Sequence, residues 1–122
     1  MPNDPLSDLR RHMETFLADY KICLDTSARI VQPRKVNDET IKQLGYTALD
    51  VINVLYSLAV IDYCAGPKDD KLHGGVYWEF GKMVEGHLIY IKLKLHTKKD
   101  GSDIPYCYSF HISDSSMSFP LK

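Results

Sequence analysis

The sequence predicts an α+β domain, with helices packed on one face of an antiparallel β-sheet. One observation behind this is residues 76–112, where apolar and polar side chains alternate and two turn dipeptides, Glu85-Gly86 and Asp100-Gly101, divide the stretch into a three-stranded meander. A second is the N-terminal half, where apolar residues recur at helical spacing behind capping residues. The third is size: 122 residues with 44% hydrophobic and 25% charged content suit one soluble domain with a proper core, residues 1–122.

Taken in order, Asn3-Asp4-Pro5 supplies an N-cap and an N1 proline. Leu6, Leu9, Met13, Phe16, Leu17 and Tyr20 then form the stripe of an amphipathic helix that packs onto the sheet. Residues 21–24 and 29–32, separated by Asp25-Thr26-Ser27-Ala28, read as two short strands of a hairpin ended by Pro33. Asn37-Asp38-Glu39-Thr40 reads as a cap opening a short helix to Leu44, with Gly45 as its C′ stop. Thr47-Ala48-Leu49-Asp50 resembles a capping box with Asp in place of Glu, and Leu49, Ile52, Leu55, Leu58 and Ala59 mark the core side of the helix it opens. Residues 64–75 hold three glycines, a proline and several charges without periodicity, and read as a long loop. Loops of that length in compact domains often carry function, so Lys68, Lys71 and His73 are candidate substrate contacts. After the meander, Asp114-Ser115-Ser116 turns into a final strand on which Met117, Phe119 and Leu121 alternate, with Pro120 confining it to an edge.

Register sharpens the meander. In residues 87–96, Ile89, Ile91, Leu93 and Leu95 share one face, and Tyr90, Lys92, Lys94 and His96 the other. A two-residue turn centred on Asp100-Gly101 sets Tyr90 opposite His111, Lys92 opposite Ser109 and Lys94 opposite Cys107. The apolar residues agree: Ile89, Ile91, Leu93 and Leu95 then face Ile112, Phe110, Tyr108 and Tyr106. A turn centred on Glu85-Gly86 pairs Val76, Trp78 and Phe80 with Leu95, Leu93 and Ile91, and sets Tyr77 against Lys94 and Glu79 against Lys92. One face therefore gathers Tyr77, Glu79, Tyr90, Lys92, Lys94, Ser109 and His111. Trp78, Phe80, Tyr106 and Tyr108 fall on the core face and read as packing, which leaves Tyr77 and Tyr90 as the aromatic residues available to stack on a base.

That polar face holds the parts of a metal-independent acid–base site acting on a phosphodiester. His111 is a general acid or base, with Glu79 or Tyr90 as its counterpart, and Lys92 and Lys94 bind phosphate. The plainer reading is a solvated outer face with an ordinary Glu79–Lys92 cross-strand pair. His111, His96 and Glu79 make no compact metal triad, and no metal or cofactor is expected. Ser109 lies in a strand, without the elbow of a serine hydrolase, and the loop glycines make no P-loop. The net charge of −1 gives no global basic field, so any nucleic-acid contact must rest on a local patch. Cys23, Cys64 and Cys107 are odd in number and widely spaced, as expected for free thiols in a reducing cytoplasm. No signal peptide or membrane-spanning run is read, so a cytoplasmic location with no membrane partner is expected.

Several short motifs resemble a known family. They are Asp62-Tyr63-Cys64-Ala65-Gly66-Pro67, Tyr77-Trp78-Glu79-Phe80-Gly81-Lys82, Ile89-Tyr90-Ile91-Lys92-Leu93, Ser109-Phe110-His111-Ile112 and Met117-Ser118-Phe119-Pro120. Together they resemble the MqsR-type toxins of bacterial type II toxin–antitoxin systems, over roughly the C-terminal half of the chain. The resemblance implies a RelE-like fold, with helices on one face of a twisted antiparallel sheet. It also implies an mRNA interferase that cuts RNA without metal and is neutralised by a cognate antitoxin protein. Tyr90 and Lys92 match the functional tyrosine and the lysine of the family's strand motif. His111 stands where studied members have a functional lysine, and Glu79 where they have a glutamine. The family's upstream lysine falls near Ala65, with Lys68 or Lys71 able to stand in. Lys94, Tyr77, Lys68, Lys71 and His73 complete the expected RNA-binding set. The alternative expectation is a non-catalytic protein- or ligand-binding module with a degenerate toxin fold.

Overall fold

The computed structural model describes residues 4–24 and 30–122. Among them are three α-helices and one four-stranded antiparallel sheet, so the α+β class holds. Helix α1 (Pro5–Cys23) starts as expected: the Asp4 side chain accepts from the Leu6 amide, and Pro5 occupies the first turn. It buries Met13, Leu17 and Tyr20, and Phe16 stacks on Trp78 with ring centroids 5.4 Å apart. Leu6, expected in that stripe, is exposed, because the helix begins beyond the edge of the core. The helix also runs on through Lys21, Ile22 and Cys23, so the first strand of the expected hairpin does not exist. Three residues that can serve either period continued the helix already under way. The connection at 25–29 lies outside the described residues. Of the second strand, among the described residues, a single parallel bridge remains, Val31 to Cys107.

Helix α2 (Lys35–Leu44) ends at Gly45 as read, but its N-cap is Arg34 and not Asn37. Asn37 lies within the helix, fully buried, with a different task. Its Nδ2 donates to the carbonyls of Gln32 and Tyr108, and its Oδ1 accepts from the Phe110 amide. Thr40 Oγ1 accepts from the Ile112 amide one turn later. Helix α3 (Ala48–Ser57) opens with the Thr47–Asp50 capping box as read, and buries Val51, Ile52 and Leu55. Leu49 is exposed, and Leu58 is buried just past the last turn.

The sheet runs β1 (Tyr63–Asp69), β2 (Val76–Val84), β3 (His87–Thr97) and β4 (Asp103–Ile112), side by side in that order. β1 replaces the first half of the expected loop. Gly66, Pro67 and two register irregularities hide it from any periodicity test. The β2–β3 turn is the two-residue turn at Glu85-Gly86, both with positive φ (51° and 81°), and it gives the expected pairs Trp78–Leu93, Glu79–Lys92 and Phe80–Ile91. The further pairs Tyr77–Lys94 and Val76–Leu95 are not part of that ladder; Tyr77 and Val76 pair with Lys68 and Asp69 of β1.

The β3–β4 register is right in one half and shifted by one in the other. Lys98 and Ser102 bond across a three-residue loop, in which the Asp100 side chain takes the Ser102 amide and Gly101 adopts φ 87°. That sets Leu93 opposite Cys107 and Lys94 opposite Tyr106. A bulge at Tyr108 then absorbs the difference, so Lys92–Ser109, Ile91–Phe110, Tyr90–His111 and Ile89–Ile112 pair as expected. Cys107 therefore takes the core position, fully buried, and Tyr106 and Tyr108 stand on the outer face instead of in the core. The tail after β4 forms no strand. It crosses the outer face at Gly81, where a Cβ would lie 2.7 Å from Met117 Sδ and 3.0 Å from Phe119 Cζ.

Two buried side chains, Asn37 and Thr40, tie α2 to the edge of β4. Asn37→Ala is expected to leave the Phe110 amide without a partner and cost about 2–3 kcal/mol in urea unfolding. A loss below about 0.5 kcal/mol would show that α2 is held by other contacts.

Candidate functional site

The outer face of the sheet opposite α1 carries the polar cluster, and two chain segments fold over its ends. At one end the tail reaches across Gly81, with Met117 and Phe119 packed close over it. At the other, the turn after β1 closes over Lys94. Asp70 organises that turn: its Oδ1 accepts from the Leu72 and His73 amides. Its Oδ2 accepts from Lys94 Nζ at 2.8 Å and from the Tyr108 hydroxyl at 3.1 Å. Lys94 also donates to the Gly74 carbonyl and is only 2% exposed. The ammonium beside Asp70 holds its carboxyl well below the usual carboxylate range. Lys94, read from the sequence as a phosphate ligand, is thus spent inside the protein.

Between these ends lie the residues that remain available. Glu79 is mostly buried, and it pairs with Lys68 across β1–β2 (3.0 Å) and not with Lys92, which stands opposite it in the ladder. Burial first, then the nearby Glu79 carboxylate, push the Tyr90 phenol's pKa far above its ordinary value. Tyr90 is therefore a hydrogen-bond donor across the physiological range, and no base. Its ring lies 5.4 Å from that of His111 on the neighbouring strand. His111 Nδ1 sits 3.1 Å from the Ile112 carbonyl, which can only accept, so the proton is on Nδ1 and Nε2 is the nitrogen left for a substrate. Lys92, with no carboxylate partner among the described residues, holds its ammonium 4.0 Å over the Tyr77 ring and 5.8 Å from that of Tyr108.

No match was found between this chain and known family models, curated proteins or solved structures.

The structure brings together Tyr77, Glu79, Tyr90, Lys92, His111 and Lys68. It does not bring in Lys71, which is exposed on the turn, and it holds His73 at the turn's edge, where the ring lies 6.3 Å from Tyr108. Sequence reasoning missed three contributors. Arg34, from the connection before α2, reaches around the edge of β4 to donate to Ser109 Oγ (3.2 Å) and the Tyr108 carbonyl (3.3 Å), adding a cation beside the cluster. Asp70 is missed because nothing in a glycine-rich turn marks one carboxylate as its centre. Tyr108 is missed because a bulge leaves no trace in alternation. Among the described residues, no helix is long and apolar enough to cross a membrane, and Cys23, Cys64 and Cys107 are free thiols.

The Asp70–Lys94 pair has a definite pH sign. Because the folded carboxyl is depressed, the stability it contributes is full above the unfolded value of about 3.9 and is lost as pH falls toward the folded one. Asp70→Asn is accordingly expected to cost about 3 kcal/mol at pH 7, from an uncompensated buried ammonium, and much less near pH 2.5. Urea midpoints of both proteins at the two pH values measure this, and a pH-independent difference would show that the pair does not titrate with folding.

Proposed function

We propose that the protein is a metal-independent endoribonuclease, the mRNA-interferase toxin of a bacterial type II toxin–antitoxin pair with a RelE-like fold. It acts on RNA in the cytoplasm and is restrained by a cognate antitoxin protein. The observation that carries the reading is the Glu79–Tyr90–His111 row, two proton-transfer groups on either side of a phenol that keeps its proton, with Lys92 uncommitted beside it. The motif resemblance on β2, β3 and β4 falls on the same residues.

In this reading Glu79 takes the proton of an RNA 2′-hydroxyl, and the freed oxygen attacks the adjacent phosphorus. The P–O2′ bond forms and the P–O5′ bond breaks. Protonated His111 gives the Nε2 proton to the departing 5′-oxygen, while its Nδ1–H stays on the Ile112 carbonyl and keeps the ring oriented. Tyr90 donates a hydrogen bond, and Lys92 and Arg34 meet the negative charge that builds on the phosphoryl oxygens. The products are a 2′,3′-cyclic phosphate and a 5′-hydroxyl. Lys68 pairs with the Glu79 carboxylate at 3.0 Å and holds it in place.

A second reading, a non-catalytic binding module, is favoured by a cavity of about 370 Å³ between α2 and α3, lined by Ile30, Ile41, Val51, Ile52 and Leu55 among others and by no residue of the sheet. It expects a folded protein inert toward RNA.

Incubation with labelled RNA in EDTA separates the two. Cleavage leaving a 2′,3′-cyclic phosphate is expected, with His111→Ala and Glu79→Gln each slowing it by about 10²–10⁴-fold at unchanged melting temperature. Abolition of cleavage by EDTA, or full activity in both variants, contradicts the proposal.

A further inference from the structure

The bulge at Tyr108 has a chemical consequence beyond register, since it turns two tyrosines onto the face that carries the cluster. Tyr77, Tyr90, Tyr106 and Tyr108 belong neither to the buried core nor to the partly buried residues packed against it. All four are half-buried on the outer face. The rings of Tyr106 and Tyr108 lie nearly parallel, 24° apart with centroids 6.0 Å from each other. His96 continues the row beyond Tyr106 at 6.3 Å, and His73 flanks Tyr108 at 6.3 Å. Tyr108 is held rigidly by its hydroxyl bond to Asp70. Where the row meets the cluster, the Lys92 ammonium sits between the rings of Tyr77 and Tyr108.

We infer that Tyr108, Tyr106 and His96 form a base-stacking track that carries single-stranded RNA away from the Glu79–Tyr90–His111 row. Rings on one sheet face, two from β4 and one from β3, with a cation at their root match the two demands of single-stranded nucleic acid. Every base has a π-face to lay on a ring, and every phosphate needs a positive charge. Tyr108 is fixed before the ligand arrives, so little side-chain entropy is lost on binding. Stacking tolerates any base, so the track sets how many nucleotides are held and in which direction the strand leaves. The inference deepens the endoribonuclease reading and rests on it for the choice of RNA.

The test uses 2′-O-methyl oligonucleotides of two to eight nucleotides, which lack the attacking hydroxyl and so report binding alone, read by fluorescence anisotropy. Affinity is expected to rise with length and then level off once the track is filled. Tyr106→Leu is expected to weaken binding of the longer oligonucleotides by about 5- to 100-fold, and Tyr106→Phe to retain it. An oligonucleotide with abasic positions is expected to bind wild type as weakly as the intact one binds Tyr106→Leu. The Tyr106 carbonyl, not its ring, accepts the Tyr20 hydroxyl, so both variants keep that contact, and a melting curve verifies their folding. Should Tyr106→Leu not fold, His96→Ala tests the outer end of the same row. Equal affinity for intact and abasic oligonucleotides, or unchanged binding by folded Tyr106→Leu, overturns the track. Cleavage of unmodified RNA is followed in parallel. Base-dependent binding without cleavage leaves the track standing and removes the nuclease reading, whereas cleavage indifferent to Tyr106 does the reverse.

Discussion

The free edge of β4 is the constraint on which the rest of this structure depends. An edge strand presents backbone donors and acceptors that must find partners or invite aggregation. Here they are met one after another: Cys107 by Ile30 and Gln32, the Tyr108 carbonyl by Asn37 and Arg34, the Phe110 amide by Asn37, and the Ile112 amide by Thr40. Meeting them fixes where α2 lies and why an asparagine is fully buried in it. It also brings Arg34 around the edge to the outer face. The bulge at Tyr108 belongs to the same arrangement, because it lets both the amide and the carbonyl of Cys107 face the Ile30–Gln32 segment while the far half of the ladder keeps its pairing with β3.

Charge on the outer face is divided with little redundancy. Asp70 takes Lys94, and Glu79 takes Lys68, so the two carboxylates nearest the cluster each neutralise one lysine. Lys92 is left against an aromatic ring, and Arg34 against a hydroxyl and a carbonyl, and both can still accept an anion. A chain with a net charge of −1 thus keeps a small local excess of positive charge where the sheet is most polar. Steering by such a patch is short-ranged, and salt screens it within about 8–10 Å.

Much of this was legible in the sequence wherever a rule is local and periodic. Strand alternation and the Glu85-Gly86 dipeptide gave the β2–β3 ladder, and the Thr47–Asp50 capping box gave the start of α3. The neighbourhood of Tyr90 and His111 came out correctly although the Asp100-Gly101 loop was read one residue too short, because the bulge at Tyr108 cancels the error beyond it. Between loop and bulge nothing cancels it, and there Tyr106, Cys107 and Tyr108 were assigned to the wrong faces. β1 was missed because Gly66, Pro67 and two irregularities erase its alternation, and its pairing with β2 is a long-range fact. The fate of Lys94 was equally hidden. Alternation places it correctly on the outer face, but only the fold of the next turn decides that Asp70 will bury it there.

A face shaped by solubility alone would look different. Polar residues that serve only to keep a sheet wet stay exposed and pair loosely, because burying an ion or a phenol carries a desolvation cost that water would otherwise spare. Here Lys94 and Ser109 are each 2% exposed, Glu79 is mostly covered and Tyr90 half-covered. A tail and a turn fold over the two ends of the face, at Gly81 and at Lys94. Burial also lifts the Tyr90 phenol away from ionisation. The cost of holding these groups out of water is met in part by the edge bonds of β4 to α2 and the segment before it, and by a core of Phe80, Ile91, Leu93 and Phe110 directly beneath them. That combination, a stiff apolar layer under a partly dehydrated row of acid, phenol and imidazole, is a physical reason to read the cluster as a site for chemistry.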